Sequence, residues 1–321
     1  MESLTSRLGT RFLVVTVVPN ILLLGYLGFL FAAGAPARSP SLTRAVDVLD
    51  GLSIRQIIVI ALVVLVFSVA THPLQTPLTR LVEGYWQGLP LGPAAAHALT
   101  ARFREELRRA RERPRGGGSS GPAGQQDPAR RQPVSTRRPP DWLPPREQDL
   151  LPTVLGNTLR VGEGRAGDRY GLDLEWAWPR LSPLLSESSM ADLSDRRNQL
   201  DAAVRLCLVA GLATVIGLFL LLAHGSWLFL PVGTYVLCWA CYRAAVDAAQ
   251  GFSKSLAAAV DLHHLKIFDA LQMERPADLA GELDHNTTLN FLFRQGLHGE
   301  DIDDLHYLPL KADKPSGEEP E

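Results

Sequence analysis

The sequence predicts an all-α integral membrane protein with four transmembrane helices, cytoplasmic helical extensions and a small cytoplasmic cap, and three observations carry that prediction. Uninterrupted apolar blocks run from Phe12 to Ala33, Ile54 to Ala70, Val204 to Ala223 and Trp227 to Cys241. The blocks fall into two hairpins on either side of one long hydrophilic stretch. That stretch, His72 to Leu200, carries 19 Lys and Arg residues, so a formal net charge of only −2 conceals a strong segregation of sign.

A helix rises about 1.5 Å per residue and the hydrocarbon layer is about 30 Å thick, so roughly 17 to 25 apolar residues make a span. The first, third and fourth blocks meet that length directly, and the second reaches it by including Ser68, Thr71 and Leu74. Positive residues stay on the cytoplasmic side, which places residues 72–200 inside the cell. The connections Gly34 to Ser53 and His224 to Ser226 carry balanced charge or none and are expected outside. Arg7 and Arg11 before the first span favour a cytoplasmic N-terminus, and four crossings return the C-terminus to the same side of a bacterial cytoplasmic membrane. Cleavage of the first span as a signal, at the small residues near Ala33 to Ala37, is the competing reading; an apolar core of about 20 residues argues against it. Arginine outnumbers lysine 28 to 4, the bias of a GC-rich bacterial genome.

Within residues 1–74, the first hairpin, Pro19 and Asn20 interrupt the first span. Proline bends a helix and a side-chain amide in lipid seeks a partner on a neighbouring helix, so a kink packed against the second span is expected. Residues 75–113 read as interfacial and basic cytoplasmic helices, with Leu78, Leu81, Val82, Tyr85, Trp86 and Leu89 at helical spacing along the inner membrane surface. The arginines between residues 102 and 115 are expected to bind anionic lipid, at about 1 kcal/mol per basic residue near the surface. Nucleic acid is the weaker partner for them, since no aromatic interleaving accompanies the charges.

Residues 114–148 are rich in Pro, Gly, Ser, Gln and Arg and predict a disordered linker, in which Ser135 and Thr136 between arginine pairs are candidate phosphate acceptors. From Asp149 to Ser188 apolar and aromatic residues return, and Pro179 and Pro183 forbid one continuous helix. This is the expected cap, with Trp176 and Trp178 near the membrane interface. Gly162, Gly164 and Gly167 match the G-x-G-x-x-G spacing of dinucleotide sites, but no strand precedes them and no apolar helix follows, so a glycine-rich connector is the reading and no cofactor is expected. Ser189 followed by Asp192 resembles a capping box that starts the helix of the third span. Residues 189–272 form the second hairpin with its extensions, the fourth span continuing without a breaker towards Leu271, and residues 273–321 form an acidic tail.

Asp201 with Arg205, and Arg243 with Asp247, each share a helical face. A hairpin turning near His224 sets both arginines at one depth, so these four residues are the candidate charge cluster: interfacial anchors, an inter-helix lock, or the ring of an oligomeric pore. Cys207, Cys238 and Cys241 lie in the spans and read as small apolar residues. His263 and His264 are adjacent and point apart, so no metal is expected; His263 continues an apolar stripe and reads as a packed histidine. No paired acid and base, and no activated nucleophile, is evident, so a catalytic residue is not expected.

Leu155-Gly156-Asn157, Leu159-Arg160, Arg169-Tyr170-Gly171-Leu172-Asp173 and Trp178-Pro179-Arg180-Leu181 resemble a segment of uncharacterised polytopic membrane proteins of actinobacteria, where it precedes a transmembrane hairpin. The resemblance covers roughly residues 150–270 and implies origin and architecture. Its polar and aromatic positions, Asn157, Arg160, Arg169, Tyr170, Asp173, Trp178 and Arg180, are the candidate motif residues. Taken together the sequence predicts a membrane scaffold or sensory component that binds a protein partner or further copies of itself, for which Ala210, Gly211, Ala213, Thr214 and Gly217 offer a small-residue face. A channel gated by the cap is the alternative, and an enzyme at the inner leaflet the third reading.

Overall fold

The computed structural model describes residues 17–112 and 140–295, and every regular element in them is helical. In chain order the α-helices are α1 (Val18–Ala33), α2 (Leu42–Asp50), α3 (Ile54–Thr71), α4 (Gln75–Glu83), α5 (Gly92–Glu112), α6 (Val154–Gly167), α7 (Leu174–Leu181), α8 (Glu187–Leu221), α9 (Phe229–His263), α10 (Lys266–Ala270) and α11 (Leu279–Gln295). Among the described residues three stretches are long and apolar enough to cross a membrane, Ile54–Leu74, Glu187–Leu221 and Gly225–His263. The first predicted span is α1, a shorter apolar helix of 16 residues, and its residues 12–16 lie outside the described residues, as do Ser135, Thr136 and most of the predicted linker.

Helix α3 decides which solvent the apolar helices fit. Ile57, Ile58, Val59, Ile60, Leu62, Val63, Leu65, Val66 and Val69 are each about half exposed and lie all around its circumference. Full burial of such a side chain is worth about 1.5–3 kcal/mol, so leaving half of nine in water costs on the order of 10 kcal/mol, comparable to the entire stability of a domain. The surface fits hydrocarbon. At its start Ser53 and Gln56 form a capping box, the Ser53 amide donating to Gln56 Oε1 at 2.8 Å.

Packing divides the chain into two units, residues up to 161 with 194–253, and residues 162–193 with those from 254 onward. In the first, Leu155 and Leu159 of α6 pack with Leu200 and Val204 of α8 and Ala245, Val246 and Ala249 of α9. Leu30 of α1 and Ala35 pack against Leu220 and Leu221 at the far end of α8. A third cluster joins Phe103 and Leu107 of α5 to Trp142, Leu143 and Leu150, so Trp142 and Leu143, within the predicted linker, are packed.

In the second unit three sequence expectations are corrected. The helix of the fourth span ends at His263, and a turn leads into α10, which buries Ile267 and Phe268 completely. A straight continuation leaves both of those side chains no common core to enter. The predicted acidic tail includes α11, which buries Glu282, Asn286, Leu289 and Phe293 at helical spacing; its register was masked because two of the four inward positions are polar. The predicted start of α8 also moves: the helix begins at Glu187, and Ser186, three residues ahead of Ser189, accepts the Ser189 amide at 3.2 Å.

Candidate functional site

Of the seven motif residues Asn157, Asp173 and Arg180 hold backbone with their side chains, and Arg169 and Tyr170 meet Asp261. Asn157 is fully buried at the start of α6, where its Oδ1 accepts the Leu151 amide at 2.7 Å and its Nδ2 donates to the Leu151 carbonyl at 3.0 Å. Gly156 lies so close to α4 that a β-carbon there stands 2.0 Å from the Glu83 carbonyl oxygen. Thr153 Oγ1 donates to that same carbonyl at 2.7 Å, so the Leu155-Gly156-Asn157 run is a docking surface for the end of α4. Arg160 is exposed on α6, and Gly162, Gly164 and Gly167 all lie within this helix, where no phosphate-cradling loop exists. The connector expected there is helix because Gly167 lets the chain fold back under Leu172, whose carbonyl is 2.2 Å from the β-carbon position.

In the second unit the Arg169-Tyr170-Gly171-Leu172-Asp173 run receives α11. Asn286 Nδ2 donates to the Tyr170 carbonyl at 2.8 Å, Asn290 Nδ2 to the Gly171 carbonyl at 2.7 Å, and the Asp173 amide to Asn290 Oδ1 at 2.9 Å. Gly171 has φ +72°, a conformation that favours glycine, and lies against Leu283. Asp173 caps α7 by accepting the Glu175 amide at 3.1 Å. Arg180 donates to the Trp176 carbonyl and covers the Phe293 ring with its guanidinium at 4.1 Å, and Trp178 is half-buried on α7.

Five ionisable groups gather beside that dock. Tyr170 stacks on the His264 ring at 3.8 Å between centroids, and its hydroxyl donates to Asp261 Oδ1 at 3.0 Å. Arg169 reaches the same carboxylate at 3.3 Å. Partial burial, and then the Asp261 carboxylate, push the Tyr170 phenol above its ordinary range. On the other edge of the ring His264 Nδ1 meets Glu282 Oε1 at 2.5 Å, with both side chains nearly buried. Glu282, Asn286 and Asn290 were missed by the sequence argument and His264 was weighed only as a metal ligand, since tertiary packing alone selects these roles. The neighbouring His263 is packed, as its apolar stripe requires: Nδ1 donates to the Ala259 carbonyl at 2.9 Å and Nε2 accepts the Ser186 amide at 3.1 Å. The same unit carries a groove of about 400 Å³ lined by Ser188, Ser189, Asp192, Lys254, Ser255 and Leu262.

Asp269 is the other titrating group of note. Arg275 Nε donates to its Oδ1 at 2.7 Å and Nη2 to its Oδ2, holding the carboxyl below the ordinary carboxylate range. A carboxyl depressed on folding stabilises fully above its unfolded value and loses that contribution as acid protonates it in the folded state. Both side chains are about half exposed, so the effect is small. In an acid titration below about pH 4, the wild type is expected to lose more stability than Asp269→Asn.

The four residues of the charge cluster differ in burial. Asp201 and Arg205 are buried, whereas Arg243 and Asp247 are exposed. Helix α9 turns Ala245, Val246 and Ala249 towards α8, and positions two residues away from that stripe point elsewhere. Asp201 pairs with Arg197 at 3.2 Å, and Arg205 Nη2 donates to Thr71 Oγ1 at 3.3 Å. Thr71 and Ser68 of α3 each accept from Asn20 Nδ2 of α1, at 3.0 and 3.1 Å. Three apolar helices are thus joined through one buried polar set. Asn20→Leu is expected to weaken the α1–α3 contact by about 1–2 kcal/mol. A double-mutant cycle with Ser68→Ala, read by denaturation in detergent micelles, should return a positive coupling.

The small-residue face of α8 is used inside the chain. Ala210 and Ala213 are buried, Gly211 faces Cys238, and Thr214 donates to Thr234 of α9 at 2.9 Å. A β-carbon on Gly217 stands 2.1 Å from the Tyr26 hydroxyl oxygen. Gly217→Ala is therefore expected to lower thermal stability, and Tyr26→Phe, which removes the colliding atom, to restore most of it. Across the same helices Cys207 and Cys238 approach to 3.7 Å between sulfurs as free thiols. Among the described residues no group of three or more His, Cys, Asp or Glu side chains is arranged to hold a metal ion. Comparison of the chain with known protein families, with curated proteins and with solved structures finds no match in any of the three.

Proposed function

We propose that this chain is a four-span scaffold of a bacterial cytoplasmic membrane, with both termini inside, that presents its cap and the basic helix α5 to a protein partner or to further copies of itself. The supporting observation is the use of the motif residues: Asn157 and Asp173 hold backbone, Arg180 covers Phe293 of α11, and Tyr170 is held through its carbonyl by Asn286 of α11 and through its hydroxyl by Asp261 of α9, as the parts of a rigid platform are. Kinship with the actinobacterial polytopic proteins belongs to the same reading. Helix α5 carries Arg102, Arg108, Arg109 and Arg111 on exposed positions, a surface suited to anionic lipid.

A channel is the second reading, and the buried Asp201 and Arg205 favour it, since ionisable residues inside apolar spans mark ion pathways. Reconstitution into liposomes separates the two. The scaffold reading expects no ion flux, together with retention of a defined partner after crosslinking in native membranes that is lost when the α5 arginines are replaced. Flux that disappears in Arg205→Leu overturns it in favour of the channel.

A further inference from the structure

Helix α2 is short, rigidly bracketed and bare on its apolar side. Its residues Leu42, Val46 and Leu49 recur at spacings of four and three, which sets them on one face. All three are more than half exposed, while Ala45, on the adjacent face, is fully buried. Thr43 and Asp50 flank that face, and Arg44, Asp47 and the exposed Val48 lie away from it. The helix does not hang free. Gly34 ends α1 at φ +109°, the Ser41 amide donates to the Ala33 carbonyl at 3.0 Å, and Arg44 Nη1 donates to the same carbonyl at 2.9 Å. The Arg44 guanidinium fills the space beside Gly34, 2.3 Å from where a β-carbon stands, so no other residue fits there without displacing the bracket. This arrangement fixes the direction of the exposed stripe.

We infer that α2 is an interfacial helix whose Leu42–Val46–Leu49 face is seated in the acyl-chain boundary of the leaflet where the first hairpin turns. The occupant follows from continuity: α3 starts four residues after α2 ends, and its first residue, Ile54, is 77% exposed at the edge of the apolar surface that fits hydrocarbon. Phe31, in the last turn of α1, is likewise exposed. A short amphipathic helix beside two such ends covers its apolar face by lying in the interface. The polar side selects the lipid class. With Asp47 and Asp50 against the single Arg44, the helix carries no surplus positive charge to draw anionic headgroups, unlike α5.

The inference rests on the reading of the chain as membrane-spanning, and one experiment keeps the two apart. The full chain, with its three native cysteines replaced by alanine, is placed in phosphatidylcholine nanodiscs and labelled with an environment-sensitive fluorophore at Val46→Cys, Asp47→Cys or Val63→Cys. Quenching by lipid carrying a spin label near the headgroup is expected at 46 and not at 47, with quenching at 63 by a spin label deep in the acyl chain. Replacing half of the lipid with phosphatidylglycerol is expected to leave the signal at 46 unchanged. Absence of quenching at 46 with quenching at 63 overturns the inference alone, and absence at both overturns the membrane reading. Protection at 46 that ignores the spin label, or that rises with protein density per disc, assigns the face to a protein partner or a second copy and also overturns it.

Discussion

Gly156→Ala is expected to prevent the first unit from forming its α4–α6 contact. The new methyl group stands 2.0 Å from the Glu83 carbonyl oxygen and 2.8 Å from Leu151 Cδ1, and the first of these atoms is backbone that cannot rotate aside. Overpacking commonly costs about 1–3 kcal/mol where side chains can yield. Here the collision lies between two backbones, and relief requires separating Leu155 from the Leu200, Val204 and Ala245 cluster, so the expected cost is at the upper end, about 3 kcal/mol or more. The check is thermal denaturation in detergent alongside proteolysis near residue 84. The variant should melt several degrees lower and be cut there, whereas Gly164→Ala, whose added carbon meets nothing nearer than Asp168 Oδ2 at 3.6 Å, should behave as the wild type. Equal stability of the two variants contradicts the docking role given to the Leu155-Gly156-Asn157 run.

His264→Ala is the second large effect. It removes the Nδ1 partner of a carboxyl that is 5% exposed, together with the ring on which Tyr170 stacks. Removing one partner of a buried pair costs about 3–5 kcal/mol, because the other group is left without compensation, whereas replacing both by apolar residues is often close to neutral. The single variant is therefore expected to release α11 from the Tyr170–Asp173 segment, seen as loss of amide-exchange protection over residues 279–295. His264→Leu combined with Glu282→Leu should regain most of that protection. If the double variant is as unprotected as the single one, the pair specifies the dock beyond its packing, and the apolar positions Leu289 and Phe293 carry less of it than their burial indicates.

How much was legible in the sequence follows from how local each signal is. Apolar runs such as Ile57 to Val66 declare their solvent without any partner, and the side-chain amide of Asn20 declares its need for one, met by Ser68 and Thr71. Helix continuity was read less well at Leu265, because nothing in composition separates a helix that runs on from one that turns to bury Ile267 and Phe268. Asp201 with Arg205 and Arg243 with Asp247 each share a face, but the first pair is buried and the second exposed, and which face meets the other helix depends on Ala245 and Ala249, whose small size matters only once α8 is beside them. The inward face of α11 was hidden for the opposite reason, since Glu282 and Asn286 look like solvent-facing residues until the Tyr170 carbonyl and His264 are opposite them.

If hydrocarbon surrounds α3, cysteine scanning from Ile57 to Val66 in the cysteine-free chain reads it position by position. With a membrane-impermeant maleimide applied to both faces of sealed vesicles in turn, no position in that run should react, while the exposed polar positions Ser39, Asp47 and Arg146 should. Labelling that recurs at every third or fourth position along α3 contradicts the claim, because it requires water along one side of the helix.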